Sequence, residues 1–312
     1  MIRVVRYNEE LKYDWDEFLS KCKKGHFMFS RDYMDYHKDR FIDHSLIFYN
    51  DNNSIVALLP ANESNDEMYS HQGLSFGGFL INENATCEFV ISLFDVLKLY
   101  MGINGFKKIL YKCIPRIYEK IPSEEELYAL FINNAELVRR DCSVAIDMGN
   151  KLEYQKRRSR SVKKGIKNGV SVVELKELSG YWNILSEVLL QKHDSQPVHT
   201  LEEITSLRNN FPENIRCFCA IYHGKIVAGT IVFTSGHVAH CQYLASNSEG
   251  RNIGALDLVL DHLINYFSVN MKYFDFGISN ENNGRFLNRG LIAQKEGFGA
   301  RTIVHDFYEL SI

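Results

Sequence analysis

Asp275 stands in "KYFDFG", a carboxylate between two aromatic residues on a strand-like run. Apolar surroundings penalise the charged form and raise a carboxyl pKa, which suits a base that takes a proton from an ammonium. The competing reading is a side chain that only hydrogen-bonds backbone at the strand's end. A second group lies in "HVAHCQYLAS", where strand alternation puts His240 and Gln242 on one face and Cys241 and Tyr243 on the other. Tyr243 is favoured, because its hydroxyl can hand a proton to a leaving group; a tyrosine of the core is the alternative. His199 precedes "TLEE", in which Thr200 and Glu203 have capping-box spacing. It is expected either to pack on the first helical turn or, from the loop "QPVHT", to reach a substrate.

The densest charge lies elsewhere. From Lys156 to Lys167, in "KRRSRSVKKGIK", seven of twelve residues are basic and none is acidic, yet the 312-residue chain has a formal charge of -3. Everything outside the segment therefore sums to -10, which is -3 less +7. On a helix Lys156, Arg160, Lys163, Lys164 and Lys167 form one stripe, with Val162 and Ile166 turned inward and Asn168-Gly169 as the stop. Arg157, Arg160 and Lys164 are taken as candidate contacts to a phosphate-bearing ligand. A tRNA, a nucleotide-linked precursor and the headgroups of a membrane surface all present phosphates, and a solvated charged face competes with the three.

The elements that must position these residues repeat. "HSLIFYNDNNSIVALLPANESNDEMYSHQG" and "IRCFCAIYHGKIVAGTIVFTSGHVAHCQYLAS" each read as a three-stranded meander with polar turns. An amphipathic helix and a strand follow each: "TCEFVISLFDVLKLYMGI" with "KKILYKCI", and "GALDLVLDHLINYF" with "KYFDFGIS". Each half also opens strand-then-helix. The pattern predicts an α/β protein of two tandem domains, residues 1–149 and 150–312, each a mixed, mostly antiparallel sheet flanked by helices. Composition agrees, with 45% hydrophobic and 24% charged residues. The apolar run from Cys87 is broken by Glu88, Asp95 and Lys98, so no transmembrane segment is expected. The seven scattered cysteines fit a reducing, cytoplasmic setting, and Cys217 with Cys219 reads as packed thiols and not as a metal site.

The element order resembles the GNAT acyltransferase fold, and "SNSEGRNIGALD" resembles part of the loop with which GNAT enzymes grip the coenzyme A pyrophosphate. Asn247, Arg251, Gly254 and Ala255 are the candidate donor contacts there, although Leu256 stands where the last small residue belongs. "RRSRSVKKGIKNGV", "YFDFGISNENNGRFLNRGL" and "KEGFGARTIVHDFYEL" further resemble the Fem-like tandem-GNAT proteins, the peptidoglycan peptidyltransferases and their acetyltransferase-like relatives. The resemblance implies transfer of an acyl or aminoacyl group to an amine, with donor and catalysis in the second domain. It implies a first domain with a degenerate donor site, on the acceptor side of an interdomain cleft. Such transfer needs a deprotonated nucleophile, an oxyanion stabiliser and a proton for the leaving group. Asp275 and Tyr243 are assigned to proton transfer. Lys295, which begins the "KEGFG" loop that lies at the active site in the family, is assigned to neutralising a phosphate or oxyanion. Ser279 and Asn288, from an amide-rich loop, join the substrate contacts. The expected donor is acyl-coenzyme A as a co-substrate, with no tightly bound cofactor, and the acceptor is a cell-envelope glycan or peptide precursor. Aminoacyl-tRNA is the rival donor, and a GNAT-like binding module without catalysis is the rival from outside enzymes.

Overall fold

The computed structural model describes residues 2–312. The chain runs β1 (Arg3–Arg6), α1 (Lys12–Ser20), α2 (Arg31–Met34), β2 (Ile42–Asp43), β3 (Leu46–Tyr49), β4 (Ile55–Leu59), β5 (Asn62–Ser64), β6 (Glu67–Tyr69) and β7 (Leu80–Ile81). Then come α3 (Cys87–Ile103), β8 (Lys108–Lys112), α4 (Glu125–Ile132) and β9 (Glu136–Asp147). The later part holds α5 (Lys156–Lys167), β10 (Ser171–Leu175), α6 (Ser179–His193), α7 (Leu201–Asn210), β11 (Ile215–Tyr222), β12 (Lys225–Ser235) and β13 (Val238–Ser246). It closes with α8 (Ser248–Ile253), α9 (Ala255–Phe267), β14 (Tyr273–Ile278), β15 (Asn280–Glu281), β16 (Phe286–Leu287), α10 (Arg289–Glu296) and β17 (Arg301–Ser311).

Local signals explain the helices that matter below. Thr200 caps α7 by accepting from the Glu203 N–H while the Glu203 carboxylate accepts from the Thr200 N–H, the capping box read from the sequence. Helix α9 buries Leu258, Val259, Leu263, Ile264 and Phe267 at three- and four-residue spacing. Each such side chain stabilises by roughly 1.5–3 kcal/mol over exposure. The helix is therefore fixed on its sheet and its first turn is held in place.

Two compact units divide the chain. One takes in the chain up to Cys142 together with Asn280–Phe286 and Ile303–Ile312; the other holds Ser143–Ser279 and Leu287–Thr302. This departs from the single boundary expected at residues 149/150. The last strand returns to the first unit, where Phe307–Ser311 of β17 pair antiparallel with Lys108–Lys112 of β8.

In the first unit β1, β3, β4 and β7 form a four-stranded sheet, while β17, β8, β6, β5 and β2 lie side by side in that order. The third strand expected in the first meander is thereby corrected. β6 does not sit beside β4; it pairs in parallel with β8, and β4 pairs with β7. The core includes Phe79, Phe94 and Tyr111 in mutual ring contact. The Tyr111 hydroxyl accepts from the Phe79 N–H and donates to Glu126, whose other oxygen accepts from Lys24.

In the second unit the meander is as expected, with β10, β11, β12, β13 and β14 in sequence order. β13 and β14 are parallel, and β14 also pairs antiparallel with the C-terminal end of β9. One core cluster lies under α9, with Phe218, Val232, Ala239, Cys241, Phe274 and Phe276 from the sheet. Among the described residues no helix is long and apolar enough to cross a membrane.

Candidate functional site

β13 and β14 are paired only over Val238–His240 and Tyr273–Asp275. Beyond His240 the register of β13 against β12 slips, with Val232 opposite Cys241 and Ile231 opposite Tyr243, so Gln242 is an extra, bulged residue. The two strands part there. A cavity of about 640 Å³ opens in the second unit, lined by Leu244, Ala245 and Ser246 of β13, Phe276 of β14 and Leu260 of α9. Gln155, Arg157, Arg158 and Ser161 from the start of α5, with Leu291 and Gln294 of α10, complete much of its wall.

Asp275 is fully buried at the last paired position. One carboxylate oxygen accepts from the Ser143 hydroxyl at 2.9 Å and the Gly277 N–H at 2.9 Å; the other meets His240 Nδ1 at 2.7 Å. An ionised carboxylate only accepts, so opposite one Nδ1 would donate and Nε2 would be the unprotonated nitrogen. The His240 side chain is 19% exposed, and its Cε1 lies 3.2 Å from where a Cβ on Gly277 would stand. Asp275 thus holds one ring nitrogen of His240 at the end of the paired stretch. Sequence reasoning ranked His240 below Tyr243 because a hydroxyl can protonate a leaving group, and nothing in a separation of 35 residues announces the pairing with Asp275.

Tyr243 and His199, expected on separate grounds, are brought together. The tyrosine hydroxyl lies 2.5 Å from His199 Nδ1, its ring packs edge-on against Trp182 of α6, and both residues are buried. Burial pushes the Tyr243 hydroxyl up to about 12, so it stays protonated at neutral pH. The expectation that Cys241 and Tyr243 share a face is corrected by the bulge. Cys241 belongs to the core under α9, whereas Tyr243 lies against α6. His240, between Ala239 and Cys241 of that core, points to the opposite face, the one carrying α6. Cys217 and Cys219 are a buried thiol pair with sulfurs 3.7 Å apart.

The loop singled out for a donor's phosphates lines the cavity through Gly250, Arg251, Gly254 and Leu256, and its side chains also bond within the loop. Asn247 caps α8, accepting from the Gly250 N–H at 2.8 Å. The Arg251 guanidinium donates to the Ser246 carbonyl at 2.6 Å. Gly254 is left-handed at φ 79° and lies against α5, where a Cβ would come within 2.3 Å of the Ser161 carbonyl; Ala255 is buried. In the first turn of α9, Asp257 is ion-paired to Arg158, with Nη1 at 2.8 Å from each carboxylate oxygen. That pair was missed. The spacing of Arg158, Val162 and Gly165 could have found it, since these three are the buried residues of α5. Ile166, expected inward, is 61% exposed because Gly165, not Ile166, meets Leu258 of α9.

Lys295 lines the cavity, as the "KEGFG" loop led one to expect of its position. It is buried, and its ammonium donates to the carbonyls of Gly277 at 2.8 Å and Ile278 at 2.6 Å, tying α10 to the end of β14. Those carbonyls offset the charge that was assigned to a phosphate or oxyanion. Ser279 is fully buried, so it has no surface to offer a substrate; its carbonyl accepts from the Asn288 N–H, and Asn288 caps α10. Arg157, Arg160 and Lys164 are exposed, and of the three Arg157 lines the cavity.

Residues 154–283 match the family model described as acetyltransferase (GNAT) domain. The solved structure of FemX resembles this chain with a TM-score of 0.70 at 9% identity, over 99% of this chain and 97% of that one. The fold is that of the tandem GNAT, Fem-like proteins. The structure of L-PGS from Bacillus licheniformis resembles this chain with a TM-score of 0.63 at 11% identity, over 97% of this chain and 91% of that one. A tandem GNAT protein from the clavulanic acid biosynthesis pathway follows at 0.54 and 10%, over 100% and 98%. No curated protein matches in sequence.

Proposed function

We propose that the second GNAT-like unit is an N-acyltransferase in which His240 is the base and the donor's acyl arm enters the cavity between β13 and β14. The observation that carries this reading is the Asp275–His240 pair, standing where the two strands part. Past His240 the ladder of β13 with β14 ends, and preorganised backbone N–H donors there would suit a developing oxyanion. The amine loses one proton on becoming a nucleophile and a second on forming the amide. The C–N bond forms as the bond to the leaving atom breaks; one proton goes to the leaving group and the other to solvent. His240 Nε2 takes the first proton, with the imidazolium held by Asp275. Tyr243, protonated and paired with His199 on the same face, is assigned to the leaving group. Acyl-coenzyme A is one source of such an arm. The Fem-like resemblance supports an amine of a cell-envelope glycan or peptide precursor as acceptor.

The test is thiol release from acyl thioesters in the presence of amine acceptors, by wild type and by His240→Gln. Turnover should fall by about two orders of magnitude or more, the scale of a lost general base. Turnover by the folded variant at the wild-type rate would remove His240. Donor binding without any turnover would instead indicate a binding module.

A further inference from the structure

The exposed face of α5 has no role in the chemistry above. Lys156, Arg157, Arg160, Lys163, Lys164 and Lys167 are exposed, and none makes an ion pair among the described residues. Like charges on one helical face repel, and the rest of the chain is acidic. The same helix borders the cavity, through Gln155, Arg157, Arg158 and Ser161. Of the exposed cations Arg157 lines it, so a ligand whose reactive arm enters the cavity meets the edge of this face there.

Resting on the acyl-transfer reading of that cavity, we propose that the donor is an acyl thioester carried on a phosphopantetheine arm by a small acidic protein, which docks on the basic face of α5. Three observations point to such a carrier. First, the first turn of α9 already holds an anion, Asp257, neutralised by Arg158, while Arg251 is turned to the Ser246 carbonyl and Gly254 is pressed on Ser161. A pyrophosphate there would stand beside a carboxylate. A carrier-bound arm has no pyrophosphate and asks for no such cradle. Second, Asp257 is the only carboxylate among the described residues lining the cavity, and Arg158 holds it. An aminoacyl ester would bring an α-ammonium with no counter-charge, whereas Leu244, Leu260, Phe276 and Phe298 suit an uncharged acyl chain. Third, a twelve-residue helix presents a stripe of about 18 Å, the size of one acidic helix on a partner. Outside residues 156–167 the sequence sums to -10, a balance that does not favour a long polyanion such as tRNA.

Binding is the readout, so no acceptor need be known. Octanoyl-loaded acidic acyl carrier protein, octanoyl-coenzyme A, an aminoacyl-tRNA and octanoyl-pantetheine are each titrated against the wild-type protein. The loaded carrier is expected to bind at least tenfold more tightly than octanoyl-coenzyme A. The double variant Arg160→Glu, Lys164→Glu, checked for an unchanged melting profile, should weaken the carrier at least tenfold; Arg160→Gln, Lys164→Gln should lie between. Carrier binding equal to that of octanoyl-coenzyme A, or unmoved by the charge reversals, overturns the docking proposal. Tight binding of aminoacyl-tRNA with none of the carrier overturns it in favour of RNA. Octanoyl-pantetheine, which has neither phosphate nor protein, reads the cavity alone. If it binds while the carrier does not, only the docking fails; if it does not bind, the acyl-transfer reading fails with it.

Discussion

At the residue scale, the tautomer of His240 is the quantity on which the proposed chemistry turns. An asparagine at 275 can still accept from Ser143 and Gly277 through its oxygen, but its amide then donates to His240 Nδ1. The imidazole proton moves to Nε2, the nitrogen that must receive a proton. Asp275→Asn should therefore lower kcat by two or more orders of magnitude while the melting temperature and thioester binding stay close to wild type. A variant that binds thioester and turns over normally would reduce Asp275 to a structural hydrogen-bond acceptor. A buried histidine in the first unit makes stability depend on pH. His71 is held at about 3, well below its ordinary value of 6.5, by burial and then by Lys112 and Arg31. As pH falls from 6.5 towards 3 the unfolded chain binds this proton and the folded one does not. Stability should thus drop with acidification, by up to about 1.4 kcal/mol per pH unit from this group. His71→Asn, which tolerates the positive φ at this position, should show a smaller loss of urea midpoint between pH 7 and pH 4.5. Equal losses would clear His71 of the acid sensitivity. Asp275 was legible as a buried carboxylate among aromatics; its partner was not, because strand pairing is a non-local fact.

At the element scale, periodicity did well where one face of a helix is apolar and poorly where charge dominates. The cap and stripe of α7 and α9 were legible in "TLEE" and "LDLVLDHLINYF". In α5 the inward face is Arg158, Val162 and Gly165, a combination that hydrophobicity hides because an ion pair and a missing side chain do the packing. The bulge at Gln242 was likewise invisible, and it is the reason alternation misassigned Tyr243. The tight seat of α5 on α9 gives a measurable contrast between two glycines. Both Gly169 and Gly254 have positive φ, but a Cβ at Gly169 meets nothing within 4 Å, whereas one at Gly254 meets the Ser161 carbonyl at 2.3 Å. Gly169→Ala should cost about 1–2 kcal/mol, the left-handed penalty alone. Gly254→Ala should cost clearly more in denaturant unfolding, because backbone of α5 must shift. Equal losses would mean that α5 yields freely at that turn.

At the scale of the whole molecule, the repeat of strand, helix, meander, helix and strand was enough to expect two α/β units. It could not show that the chain's last strand leaves the second unit. The strand "TIVHDFYELS" has the same alternation wherever it pairs, and the register with β8 is set by partners two hundred residues away. Within the first unit β17 buries Phe307 and Leu310, and Asp306 holds Arg140 through two hydrogen bonds of 2.6 and 2.7 Å. Removing Ile303–Ile312 should therefore weaken the first unit selectively. The two tryptophans make this readable, since Trp15 lies in the first unit and Trp182 in the second. In a Trp182→Phe background, fluorescence of Trp15 should show unfolding at distinctly lower denaturant after the truncation. In a Trp15→Phe background the Trp182 transition should move much less. A truncation that lowers the Trp182 transition as far as the Trp15 transition, or further, would return the last strand to the second unit and restore a boundary near residue 149.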